Sequence, residues 1–169
     1  MAFLSLSSLY KVFFSKNLSF PVHENCMKKV LILGANSYIG NSFQKYIGEN
    51  YNDQYEVHKV SLRGEAWKED DWSEYESVIN VTAKVHITNE RFTEAEIKEY
   101  NDINRTLACE AAVKAINEGV GQYIFLSTMS IYGIGDSKKP VVVDESTKPN
   151  PQNPYGKSKW KAEVGLNKI

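Results

Sequence analysis

An α/β fold with a mainly parallel, doubly wound sheet is predicted by three observations. Short apolar runs alternate with helical patterns, the first run ends in a glycine-spaced turn that opens a helix, and glycine and proline punctuate the later connections. At 169 residues the chain has room for one domain of ordinary size.

Behind Lys28 and Lys29, the segment Val30 to Leu33 is continuously apolar and suits a buried parallel strand. The helix that follows carries Ile39, Phe43, Tyr46 and Ile47 at spacings of three and four. Asn50 to Gln54 is turn material, and Tyr55 to Leu62 alternates as a second strand. Residues 64 to 76 are polar and acidic, with Trp67 and Trp72 as anchors, and predict a short third strand or edge followed by a tight helical turn. Val78 to Val81 is a fourth strand. A long helical pattern from Glu90 to Asn117 stops at Glu118-Gly119. Tyr123 to Leu126 is a fifth strand, after which the chain is irregular through Gly133, Gly135, Pro140, Pro149 and Pro151. Asn153 reads as an N-cap with Pro154 at the first helical position, so Tyr155 opens a helix running toward Leu166. A sheet of about five strands results, with its crevice at the carboxyl ends of the first and fourth.

Charged residues make up 24% and hydrophobic residues 42% of the chain, with a net charge of -1, the profile of a soluble globular protein. That balance excludes a basic nucleic-acid surface, and no run of apolar residues is long enough for a membrane span. Cys26 and Cys109 lie far apart and join no metal-binding cluster, so neither a disulfide framework nor a metal site is indicated, and a reduced cytoplasmic setting follows. Residues 1–26 differ in character: Ser-rich, with Phe3, Leu4, Leu6, Leu9, Phe13, Phe14 and Phe20 but a single acid, Glu24. An amphipathic targeting or membrane-surface segment is one reading. The other, adopted here, is a leader or disordered extension, because Met27 stands directly before the first strand; the domain proper then covers 27–169.

Gly34, Ser37 and Gly40 occupy a G-x-x-G-x-x-G spacing between strand and helix. Gly34 permits the tight turn, Gly40 permits close helix-to-strand packing, and the free N–H groups at the helix start can face a dinucleotide pyrophosphate. Ser37 takes the place of the middle glycine and puts a side chain near the phosphates. After the second strand, Val60-Ser61-Leu62-Arg63 lacks a carboxylate to hold ribose hydroxyls. Arg63 with Ser61 could meet a 2′-phosphate, which favours NADP, whereas the nearby Glu65 keeps NAD open.

Tyr155 and Lys159 are four apart on a helix and face the same way. A phenol titrates near pH 10 and is a poor base at neutrality, but a neighbouring ammonium favours the phenolate. On its own such a pair is common on any amphipathic helix. The fifth strand, however, ends in Ser127-Thr128-Met129-Ser130, which delivers hydroxyls to the carboxyl edge of the sheet. Thr128 is the first candidate for orienting a substrate oxygen against Tyr155, and Ser127 the second.

Four segments carry a resemblance: Gly34-Ala35-Asn36-Ser37-Tyr38-Ile39-Gly40, Val78-Ile79-Asn80-Val81-Thr82-Ala83-Lys84-Val85-His86, Leu126-Ser127-Thr128-Met129-Ser130-Ile131-Tyr132-Gly133, and Asn153-Pro154-Tyr155-Gly156-Lys157-Ser158-Lys159. In their order and spacing the chain resembles the extended short-chain dehydrogenase/reductase family, in its NAD-dependent epimerase/dehydratase group acting on nucleotide sugars. The resemblance covers residues 28 to about 165 and only the N-terminal portion of such a protein. It implies a Rossmann-type domain in which Gly34, Ser37, Tyr38, Ile39 and Gly40 wrap the pyrophosphate of NAD or NADP. Thr82 and Ala83 would lie against the adenosine side, with Thr128, Tyr155 and Lys159 as the catalytic set and the last two also touching the cofactor. An asparagine of the preceding helix would approach this set, and Asn101 and Asn104 both compete.

The family's 4,6-dehydratases place Asp-Glu after the catalytic threonine, and this chain has Met129-Ser130 there. The resemblance therefore implies a nucleotide-sugar epimerase, at C4, using bound NAD or NADP for transient hydride transfer. A keto-sugar reductase is the alternative within the same chemistry, and a non-catalytic dinucleotide-binding sensor or scaffold is the alternative outside it. It also implies a homodimer through the helix of residues 90–118 and the Tyr155 helix. The chain ends ten residues after Lys159, before the sixth strand and substrate domain that the resemblance implies. The expectation is a C-terminally incomplete domain with one side of the fifth strand exposed, poor cofactor binding and doubtful activity of its own.

Overall fold

A computed structural model of the chain describes residues 10–15, 27–85, 91–133 and 142–169. Five strands, β1 (Tyr10–Ser15), β2 (Lys28–Leu33), β3 (Tyr55–Val60), β4 (Ser77–Asn80) and β5 (Gln122–Leu126), form one sheet in the order β1-β5-β4-β2-β3. The helices are α1 (Tyr38–Asn50), α2 (Glu94–Asn101), α3 (Leu107–Asn117) and α4 (Pro154–Leu166). This is the parallel Rossmann-type α/β fold expected from the sequence. β2 pairs in parallel with both β3 and β4, Val30 standing opposite Val57 on one side and Ser77 on the other, and β4 pairs in parallel with β5. The continuously apolar run Val30–Leu33 is buried because a strand inside such a sheet is covered on both faces. Strand order reverses between β2 and β4, which makes their carboxyl ends the topological switch point.

Four local expectations change. No strand forms within residues 64–76. Ala66–Lys68 is a short 3₁₀ turn, and Trp67 and Trp72 are buried and stacked with ring centroids 5.7 Å apart. The segment is tied down instead of paired: Lys114 of α3 donates to the Lys68 carbonyl, and Glu118 accepts from the Trp72 amide. The second strand ends at Val60, short of Leu62. On α1 the inward stripe is Gly40, Phe43, Gln44 and Ile47, and Ile39 and Tyr46 are exposed. Gly40 sets that rotation, since a Cβ there would already stand 3.0 Å from Ile32 Cγ2. The long helix begins at Glu94, behind a capping box in which Thr93 and Glu96 satisfy each other's backbone N–H groups. A five-residue π-turn, Asp102–Thr106, then separates α2 from α3. The expected start at Glu90, and His86 of the second matching segment, lie outside the described residues.

Within the segment expected as leader or extension, Tyr10–Ser15 is a strand of the sheet, next to β5. The edge of the fifth strand, expected to be exposed, therefore has a neighbour. The tract Tyr-Lys-Val-Phe-Phe-Ser is aromatic and β-branched enough to pair with a strand edge.

The chain divides into two compact units: Val12–Thr82 with Ala111–Phe125, and Ala83–Glu110 with Leu126–Ile169 and the start of the chain through Lys11. The first holds the strands and α1, with a core of Val30–Leu33, Val78, Tyr123, Phe125 and the two tryptophans. The second holds α2 and α4, with Tyr100, Ala108, Ile131, Ala162 and Leu166 buried.

Candidate active site

In the first unit the turn after β2 is built around a conformation that only glycine adopts readily. Gly34 has φ 117°, and a Cβ there would stand 3.2 Å from both Thr82 Oγ1 and Val81 Cγ2. The Gly34 and Ala35 amides both donate to the Val60 carbonyl, at 2.8 and 3.2 Å, and the Ser37 amide donates back to Gly34 at 2.9 Å. Ser37 is the N-cap of α1, its hydroxyl accepting from the Gly40 amide at 3.4 Å. The side chain in the middle-glycine position thus occupies one of the donors that would otherwise face an anion. Tyr38 and Ile39 are the first residues of α1, so their N–H groups have no intrahelical acceptor, and both side chains are exposed.

Beside this turn, Thr82 Oγ1 is buried with no hydrogen-bond partner among the described residues. Asn80 fixes the backbone there, accepting from the Thr82 amide at 2.9 Å and donating to the Tyr123 hydroxyl at 2.8 Å. A glycine cradle, an unpartnered hydroxyl and open helix-end donors fit a dinucleotide pyrophosphate. Arg63 is exposed, and Ser61 is bonded to its backbone amide at 3.2 Å. Glu65, the acidic alternative, is paired with Lys68 at 2.6 Å.

The second unit holds Thr128, Tyr155 and Lys159. Thr128 stands two residues beyond the end of β5 and caps a 3₁₀ turn, Met129–Tyr132, accepting from the Ser130 amide at 3.2 Å. Gly133 leaves that turn at φ 65°, and the Ile131 carbonyl accepts from the Asn150 amide at 2.8 Å. The expected cap of α4 is present: Asn153 Oδ1 accepts from the Gly156 amide at 2.8 Å, with Pro154 opening the helix. The helix start is pressed onto the turn, because a Cβ on Gly156 would collide with the Ser130 carbonyl.

The Thr128 side chain lies beside the Tyr155 phenol. Burial raises that phenol above the ordinary value, and Thr128 pulls the other way. The lowering by Lys159 expected from the spacing is not what the geometry produces. Lys159 is 2% exposed, donates to the Leu126 carbonyl at 2.8 Å, and is pushed by burial down to about 7, with Glu163 opposing the shift. Ser127 is committed elsewhere, its hydroxyl donating to Glu163.

Of the two competing asparagines, Asn104 is the buried one, and it faces α4. Its Oδ1 accepts from the Lys84 amide at 2.7 Å, and its Nδ2 donates to the Lys84 carbonyl at 3.0 Å and to Ser158 Oγ at 2.9 Å. Ser158 in turn donates to the Tyr155 carbonyl at 2.8 Å. Asn101 bonds back to Ile97 on its own helix and accepts from Lys161. The π-turn contains Asn104, and such turns are frequent at functional sites. Sequence reading missed Ser158 and Glu163. The only available signal was their position on α4, three and eight residues after Tyr155.

The profile of the NAD dependent epimerase/dehydratase family matches residues 30–168. The chain belongs to that family. Among the family's curated members, UDP-glucose 4-epimerase of Rhizobium meliloti is 25% identical over 155 residues, a match covering 81% of this chain and 45% of the relative. In fold the chain is similar to RMD from Pseudomonas aeruginosa complexed with NADPH, with a TM-score of 0.65 and 20% identity over 82% of this chain and 48% of that one. A dTDP-4-dehydrorhamnose reductase from Clostridium acetobutylicum aligns with a TM-score of 0.61 and 23% identity, over 82% of this chain and 48% of that one. The chain thus spans about half the length of the relatives it matches. Among its described residues no helix is long and apolar enough to cross a membrane, and no group of three or more His, Cys, Asp or Glu residues could hold a metal ion.

Proposed function

We propose that this epimerase/dehydratase-family protein interconverts nucleotide sugars at C4, in a reduced cytoplasmic setting, with a bound dinucleotide that is regenerated in each cycle. The observation that carries the reading is the Thr128 side chain placed beside the Tyr155 phenol, with Lys159 one helical turn further on. When bound, the nicotinamide supplies the hydride acceptor and donor. The protein's residues do the rest: Thr128 orients the sugar hydroxyl, Tyr155 moves its proton, and Lys159 holds the nicotinamide ribose. Gly34, Ser37, Tyr38, Ile39 and Gly40 take the pyrophosphate, and Thr82 and Ala83 flank the adenosine. Thr82 Oγ1, unpartnered among the described residues, is a donor suited to that end of the cofactor.

A keto-sugar reductase is the second reading. It is favoured by Arg63, exposed where a 2′-phosphate would lie, while Glu65 is engaged by Lys68. NADPH is a reductant suited to net reduction, so NADP preference and reduction would go together. A homodimer is proposed through α2, α3 and α4, where Ile97, Val113 and Val164 are apolar and exposed.

The test is product analysis of the complete protein with UDP-, GDP- and dTDP-sugars while nicotinamide absorbance is followed. Epimerisation without net change in absorbance supports the first reading, and stoichiometric consumption of NAD(P)H supports the second. Dinucleotide binding without turnover of any sugar would leave a sensor or scaffold.

A further inference from the structure

Glu163 has no part in the reading above. Lys159 and Glu163 are nonetheless the two charged side chains that are fully buried among the described residues, at 2% and 0% exposure. They lie four apart on α4, on one face of the helix. The last residue of β5 and the residue after it hold the pair. The Leu126 carbonyl accepts from Lys159 Nζ at 2.8 Å, and the Ser127 hydroxyl donates to Glu163 Oε1. The next residue, Thr128, lies beside the Tyr155 phenol. Three successive residues of one segment thereby address three side chains of α4.

A buried ammonium or carboxylate is costly to keep charged unless it is paired and hydrogen-bonded. The other ionisable groups along the contacts of α4 are otherwise engaged. Cys109 lies against Gly165 with Arg105 and Glu110 beside it, and Lys161 donates to Asn101.

The geometry points to Glu163 as a positioning residue: anchored by Ser127, its carboxylate keeps the Lys159 ammonium charged and turned to the end of β5, one turn from Tyr155. This rests on the proposal that Lys159 holds the nicotinamide ribose. Burial alone drives Lys159 toward the neutral amine, and Glu163 is the charged group that opposes this. Glu163→Gln keeps an acceptor for Ser127 and removes only the charge, so it separates electrostatic support from packing.

The full chain, labelled with ¹⁵N and ¹³C in its lysines and glutamates, is titrated by NMR from about pH 5 to pH 10 without cofactor or sugar, and Lys159→Met identifies the Lys159 signal. In Glu163→Gln the Lys159 midpoint should fall by about one pH unit or more, and in Glu163→Asp at least part of that fall should be recovered. An unmoved midpoint in a folded Glu163→Gln chain overturns the proposal. Should that variant not fold, the unaltered chain decides: the Glu163 carboxyl resonance must respond at the Lys159 midpoint, and a flat trace there also overturns it. Because neither cofactor nor sugar is present, a failure of dinucleotide binding or turnover is read separately from this result.

Discussion

The carbonyl of Ser130 fills the space that a side chain on residue 156 would need, so Gly156 is the contact through which α4 starts against the Thr128 turn. Tyr155 stands immediately before that contact, and its distance to Thr128 depends on it. Gly156→Ala should shift the first turn of α4 and destabilise the chain by about 1–3 kcal/mol, as overpacking does. Denaturant unfolding checks this. Unchanged stability, together with an unchanged Tyr155 environment by NMR, would contradict the tight approach.

Lys159 gives stability a pH dependence of definite sign. Its folded pKa is lowered to about 7 from 10.5, so between these values the unfolded chain binds more protons and stability rises with pH. Below about pH 7 both states hold the proton and the slope vanishes. Burial raises Cys109 and Tyr155 above 9.0 and 10.0, which favours the folded, protonated forms less as pH climbs past those values. The clean window is therefore about pH 7 to 9, where stability should rise by on the order of 2 kcal/mol. Lys159→Met should flatten that rise. A flat profile for the unaltered chain would count against a buried Lys159.

Ser37 sits where a glycine would leave the helix end open. Ser37→Ala removes the cap and should cost about 1 kcal/mol, whereas Ser37→Gly should cost only a few tenths. The glycine variant also releases the Gly40 amide, so dinucleotide affinity should improve by roughly two- to tenfold. Calorimetric titration of both variants checks it, and weaker binding by Ser37→Gly would show that the hydroxyl contacts the phosphates.

Arg63 bears on cofactor choice. Arg63→Ala should weaken NADP more than NAD, by about tenfold if a charge-assisted bond to the 2′-phosphate is lost. Parallel titrations with the two dinucleotides measure this. Equal affinities before and after the substitution would remove the arginine from the ribose end.

The fold was legible where a local pattern is enough. Val30–Leu33 could only be a strand buried on both faces, and Asn153-Pro154 marked the start of α4 to the residue. Elements that depend on a distant partner were not legible. Tyr10–Ser15 is a strand because β5 offers an edge, and residues 61–76 are fixed by Lys114 and Glu118 from another part of the chain. The start of α2 is marked in the sequence by Thr93 and Glu96, a capping box that the longer Ala/Glu pattern masks. Within the site, the spacing of Tyr155 and Lys159 was readable, but the upward shift of the phenol and the downward shift of the amine follow from burial that no spacing reveals. Asn101 and Asn104 are three apart and share a face on a regular helix, so only the folded chain, with its π-turn, separates them.

The central claim is that Tyr155 transfers the proton during nucleotide-sugar interconversion, and it is tested most directly by the turnover rate of Tyr155→Phe in the complete protein at matched cofactor occupancy. The phenylalanine keeps the ring and removes only the hydroxyl that lies beside Thr128. The account predicts a loss of about a hundredfold or more in rate with dinucleotide binding largely retained. Turnover at the full rate by Tyr155→Phe would contradict it.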